Sequence, residues 1–172
     1  HMRRLHADLI LIACAAVWGL AFVFQKTAMT HIGPFQFVAA RATVAALALA
    51  PLALLESRRA PSLRPADATR FALAGGIAFF LGAAFQQSGI VTASVTNTGF
   101  LTGLYVVMVP LLGWFWWRTR PSPAIWAAVA LSFVGTWLLG GGSLAGFGTG
   151  DLLVMISAVF WAAHVIVVRL SA

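Results

Sequence analysis

The chain has 172 residues, of which 61% are hydrophobic and 9% charged, and its formal net charge is +7. A soluble domain carries about 25% charged residues, so this composition excludes an ordinary water-soluble domain. The basic excess forms no stripe and belongs to no recognition motif, which excludes a nucleic-acid role. Apolar runs of about 20 residues separate the charge clusters, the length that about 30 Å of bilayer hydrocarbon demands of a helix. The predicted fold class is therefore all-α, a polytopic helical membrane protein with six spans.

Span one is predicted over Asp8 to Ala28; the leading His1–Met2 pair reads as a vector remnant and is left aside. Gly33 breaks the chain and Pro34 takes a first helical position, opening span two over Phe35 to Leu55. A polar loop, Glu56 to Arg70, leads to span three over Phe71 to Val91. After the turn TASVTN, span four runs from Thr96 to Trp117. Ser122 reads as an N-cap with Pro123 in the first turn of span five, which ends near Gly140 where GGGSLAGFGTG cannot hold a helix. Span six starts at Asp151, capped by Thr149 or Asp151, and reaches Arg169.

The basic residues now have a place. Arg3 and Arg4, then Arg58, Arg59, Arg64 and Arg70, then Arg118 and Arg120, and finally Arg169 all fall on one side of a six-span drawing. Short loops rich in Lys and Arg stay cytoplasmic, so the N-terminus is expected inside and the 30s, 90s and 140s turns outside. Lys26 dissents from this pattern, and Arg41, within span two, counts for neither side.

The last span repeats the first. An offset of 143 residues lays Asp8 on Asp151, Leu9 on Leu152, Ala15 on Ala158, Trp18 on Trp161 and Lys26 on Arg169. Five spans separate the two helix starts, and five is odd, so the copies cross the membrane in opposite directions. That is the sequence signature of an inverted-topology repeat, an architecture of many secondary transporters.

The segments AAVWGLAFVFQKTA, FQFVAARATVAALALAPLAL, QQSGIVTASVTNTGFLTGLYVVMVPLLGWFWWRTRP and DLLVMISAVFWAAHVIVVR resemble the drug/metabolite transporter superfamily, in its EamA-type branch. The resemblance covers nearly the whole chain and is most specific over Gln86 to Pro121. It implies ten helices in two inverted five-helix repeats, and export of amino acids or related small metabolites from the cytoplasm across the bacterial inner membrane. On that footing residues 1–143 are the first repeat and 144–172 the first helix of the second. The expected partners are a small-molecule substrate, the bilayer and four further helices, or else a second copy of the chain.

Few residues suggest other chemistry. The lone Cys14 permits neither an internal disulfide nor a cysteine-based metal site, and no cofactor motif occurs. LIAC at Leu11–Cys14 is a faint lipoprotein box in a run that continues past it. Ser157 and His164 share a face of span six but lack a second polar orienter for hydrolysis. The chain is read as a non-enzyme. The four acids, Asp8, Glu56, Asp67 and Asp151, lie at helix ends or in a loop, so no mid-membrane carboxylate serves proton coupling. His164 is the remaining titratable candidate near mid-span.

Polar side chains within spans avoid lipid, because an unsatisfied donor there costs several kcal/mol. They face other helices or a cavity. The candidate substrate-binding set is Trp18, Phe22 and Gln25 on span one, Gln86 on span three, Asn97, Thr98 and Tyr105 on span four, and Trp161 and His164 on span six. Aromatic rings give flat apolar walls and amides and hydroxyls give hydrogen bonds. Gly99 and Gly103 form a Gly-x-x-x-Gly pair expected at a close helix crossing. Pro110 is a candidate hinge or tolerated kink. Trp114, Trp116 and Trp117 beside Arg118 read as an interfacial belt. The competing functional classes are a channel-like or lipid-handling protein and a non-transporting assembly subunit.

Overall fold

The computed structural model describes residues 4–57, 65–118, 120–139 and 147–171. Arg3, Arg58, Arg59, Arg64 and the boundary expected at 143/144 lie outside the described residues. The described chain forms α1 (Arg4–Ala28), α2 (Pro34–Ser57), α3 (Pro65–Ile90), α4 (Val95–Gly103), α5 (Tyr105–Trp117), α6 (Pro123–Leu139) and α7 (Thr149–Ser171), with no strand among the described residues. α4 and α5 are the two parts of the predicted fourth span. α1, α2, α3, the α4–α5 rod and α7 are long and apolar enough to cross a membrane, whereas α6, at 17 residues, is shorter. At ~1.5 Å per residue α6 covers about 26 Å, close to the hydrocarbon thickness.

Helix starts follow local chemistry. Gly33 donates its N–H to Gln36 Oε1 at 3.0 Å, and α2 begins at Pro34, whose missing N–H would have been unpaired in any case. The same device opens α7: Gly148 N–H donates to Asp151 Oδ2 at 2.9 Å. The residue ahead of α7 is thus Gly148, and neither Thr149 nor Asp151 is the cap. Asp151 sits three positions in and reaches back, as the acidic member of a capping box does. Ser94 caps α4, its hydroxyl accepting from Asn97 N–H at 3.0 Å.

Side-chain bonds fix which helix ends lie together. Lys26, near the end of α1, donates to the carbonyls of Ile90, Val91 and Ala93 at 2.7, 2.8 and 3.0 Å. It thereby caps the C-terminus of α3, where the helix dipole favours a cation. Asn97 at the start of α4 donates to Asp151 Oδ1 at the start of α7, at 3.0 Å. Thus α1 and α3 finish where α4 and α7 begin, and α1 and α7 run in opposite directions. We call this end of the bundle the turn end.

The largest interface is between α3 and α7, and three glycines spaced by seven residues make it. Gly75 lies under Val167 and His164, Gly82 under the Trp161 indole, and Gly89 against Gly150 and Val154. A Cβ on Gly89 would stand 2.6 Å from the Gly150 carbonyl oxygen, and one on Gly150 2.6 Å from the Gly89 carbonyl oxygen. The two backbones therefore touch, as small residues allow in a membrane bundle. By contrast, Gly103 has nothing within 4 Å of a Cβ position and Gly99 meets only Phe22 at 3.9 Å. Among the described residues no close crossing forms at that pair, and the two glycines border the open space of a cavity. Next to the glycine seam, Ala93, Leu101, Leu104, Val154 and Ala158 form the buried apolar cluster between α4 and α7.

Span four is interrupted at Leu104, not at Pro110. Leu104 N–H pairs with Leu101 O at 3.3 Å and Val107 N–H with Leu104 O at 3.0 Å, both one residue tighter than an α-helical bond. α5 then continues through Pro110. Arg118 ends α5 in the left-handed region, at φ 54°. α1 and α2 turn most of their apolar side chains outward, the arrangement suited to lipid, where burying them against protein brings no hydrophobic gain.

Candidate functional site

A cavity of about 640 Å³ lies between α1, α2, α3 and α7. Its residues sort by depth. Gln25, Arg41 and Gln86 line the part nearer the turn end; Trp18, Phe79 and Trp161 line the deeper part, with Ala13, Cys14 and Val17 beyond. Gln25 and Trp18 are seven residues apart on α1, as are Gln86 and Phe79 on α3, so about 10 Å separates the polar and aromatic layers.

The polar layer is built by bonds between helices. Arg41 Nη1 donates to Gln25 Oε1 at 3.4 Å, joining α2 to α1. Gln86 Nε2 donates to Thr102 Oγ1 at 2.8 Å, joining α3 to α4. The aromatic layer is equally defined. Phe79 meets Trp161 edge to face at 5.2 Å between centroids. Gly82 makes room for the Trp161 ring, whose Cδ2 and Cε2 would lie 3.2 Å from an added Cβ. The buried Trp161 Nε1 finds no acceptor among the described residues. Trp18 stacks on Tyr105 at 6.5 Å and 23°.

Of the residues singled out in the sequence, Trp18, Gln25, Gln86 and Trp161 come together around this cavity. Phe22 sits at the flank of that face of α1, where it lines a second cavity of about 640 Å³ with Gly19, Gly99, Gly103, Leu131 and Gly135. Tyr105 backs Trp18 and packs against the apolar cluster. Thr98 is buried and its hydroxyl donates to Ser94 O within its own helix at 2.8 Å. Asn97 belongs to the turn-end bond with Asp151. His164 lies one turn beyond Trp161; its Nδ1–H donates to Gly75 O at 2.9 Å, a carbonyl that can only accept. Its ring meets Phe79 at 5.5 Å and Trp161 at 6.2 Å. No three His, Cys, Asp or Glu side chains gather for a metal ion among the described residues.

Among the charged, polar and aromatic residues lining the cavity, Arg41 and Phe79 are absent from the set expected from the sequence. Arg41 had a legible signal, as a lone charge in an apolar span. Phe79 had none, being one of 13 phenylalanines.

Long apolar helices packed around a cavity that is polar in one layer and aromatic in the next define the class: a multi-pass membrane protein. The chain belongs to the EamA-like transporter family, whose sequence profile matches residues 5–141. It is 34% identical over 164 residues to an uncharacterized transporter of Archaeoglobus fulgidus, a match that covers 95% of this chain and 49% of that protein. The chain thus spans about half the length of the curated relative it matches. No solved structure matches it.

Proposed function

We propose that this chain carries the substrate cavity of a secondary transporter that exports amino acids, in particular aromatic or bulky apolar ones, or related small metabolites by alternating access. The observation that carries the reading is the convergence of Trp18, Gln25, Gln86 and Trp161, from three helices, on one cavity. Its volume falls within the range of about 300–1,000 Å³ usual for small-molecule sites. Trp18 and Trp161 hold equivalent places in the two copies of the repeated helix, and both face it. On this reading residues 1–143 are the first five-helix repeat, 144–172 open an inverted second one, and further helices or a second copy of the chain close the cavity. The N-terminus is cytoplasmic, the turn end faces outward, and the membrane is the cell's inner membrane.

Transport on this reading runs down the substrate gradient, because the four acids of the chain lie at helix ends or in a loop. Proteoliposomes holding the full-length protein, at equal pH on both sides and without membrane potential, should show saturable counterflow with members of an amino-acid panel. Trp18→Ala and Trp161→Ala should lower the flux at normal levels of inserted protein. Absence of saturable flux for the whole panel overturns the transport reading. Accumulation driven by a pH gradient alone overturns the facilitated mode, and His164→Gln then identifies the coupling group if accumulation is lost while exchange survives.

A further inference from the structure

Arg41 is the one charged side chain among the described residues that line this cavity, and no described carboxylate serves it as a counter-ion. Among the described residues no carboxylate comes within 4.0 Å of it, the Arg70–Asp67 contact at 3.9 Å being the ion pair formed. Asp151 is taken up by Asn97 and Gly148 at the turn end. What Arg41 does hold is weak: one 3.4 Å bond to Gln25 Oε1, and the Phe37 ring 5.7 Å from the guanidinium carbon. A guanidinium has five N–H donors in a fixed fork, so most of them have no acceptor among the described residues.

A charge inside a membrane span is costly and faces a partner or a water-filled space. The rest of α2 is mainly apolar, and packing alone gives no reason for an arginine there. The fork matches a planar carboxylate in bidentate fashion, with charge-assisted bonds stronger than neutral ones. Geometry adds the rest of the ligand: about 10 Å below the Gln25–Arg41–Gln86 layer stand the rings of Trp18, Phe79 and Trp161. Resting on the transport reading above, we propose that Arg41 is the anion receptor of this cavity. The molecules carried then have a carboxylate at one end and an apolar or aromatic body at the other. A single arginine neutralises one charge, so monoanions are admitted, and a phosphate dianion, which would leave a net charge desolvated, is disfavoured.

The test uses three probes of one shape on the full-length protein in nanodiscs, with affinities read by titration calorimetry: 3-phenylpropionate, 3-phenylpropan-1-ol and 3-phenylpropan-1-amine. The acid should bind about tenfold or more tighter than the alcohol, and the amine weakest. Arg41→Gln should close the gap between acid and alcohol, and Arg41→Lys, which keeps a point charge without the fork, should leave an intermediate gap. Equal affinity of acid and alcohol in the unaltered protein overturns the proposal, as does no binding of the acid or a preference that survives Arg41→Gln. The wild-type comparison decides even where a variant fails to fold. A protein that prefers the acid yet moves nothing in vesicles would refute the transport reading and leave the anion receptor standing.

Discussion

Gly89→Ala tests whether the bundle depends on backbone contact between α3 and α7. The new Cβ would stand 2.6 Å from Gly150 O, 2.7 Å from Val154 Cγ2 and 3.0 Å from Val154 N. Two of these atoms belong to the α7 backbone, so no side-chain rotation relieves them. Restoring ordinary contact at 3.4 Å moves α7 away from α3 by about 0.8 Å along that line. The shift loosens the neighbouring contacts of Val154 and Ala158, both fully buried. Overpacking of this kind costs about 1–3 kcal/mol, which lowers the folded-to-unfolded ratio by about 5- to 150-fold. The assay is unfolding in mixed micelles of mild detergent and SDS, followed by tryptophan fluorescence. Gly76→Ala is the control on the same helix, since nothing lies within 4 Å of its Cβ position; it should match or slightly exceed the wild type. Equal stability of Gly89→Ala and Gly76→Ala would refute the close-contact account.

Lys26→Met removes three hydrogen bonds to the end of α3 and should lower stability by about 1–3 kcal/mol in the same assay. Asp151→Asn can accept only one of the two N–H groups that Asp151 now receives, from Asn97 and Gly148; a loss of about 1 kcal/mol is expected, and Asp151→Ala should lose more. In a Cys14→Ser background, Thr30→Cys and Ser122→Cys should react with impermeant maleimide from opposite faces of the membrane; labelling from one face would refute the orientation given to the turn end. Cys14 lines the cavity and is exposed, so a small methanethiosulfonate reagent should inhibit binding of 3-phenylpropionate, and the bound acid should slow the reaction.

The spans were legible because a bilayer imposes their length, and Gly33–Pro34 because that pair starts a helix by its own geometry. Periodicity also puts Trp18 and Gln25 on one face of α1, and both line the same cavity. It says nothing of how far each helix is rotated against its neighbours. Phe22 was therefore grouped with Trp18 and Gln25 yet faces a different cavity, and Thr98 fell into a packed face of α4. Nor does it rank glycines. Gly99 and Gly103 match a known motif and border open space, while the seven-residue spacing of Gly75, Gly82 and Gly89 has meaning only once α7 lies across it. Lys26 defied the charge rule because its ammonium caps α3, a partner 64 residues away in sequence. Arg41 was set aside because a rule about loop charges has no use for a charge inside a span.

The pairing of α3 with α7 bears on how the protein is made. The segment matched by the family profile, residues 5–141, ends before α7 begins, yet the glycine face of α3 is complete only when α7 is present. A ribosome-bound chain that has inserted α1 to α6 exposes Gly75, Gly82 and Gly89 with no knobs to fill them. The matched family segment and the helices that pack together are therefore offset by one helix. Insertion of α7 fills that face of α3, and quality control in the membrane should recognise a chain halted before Thr149 as unfinished.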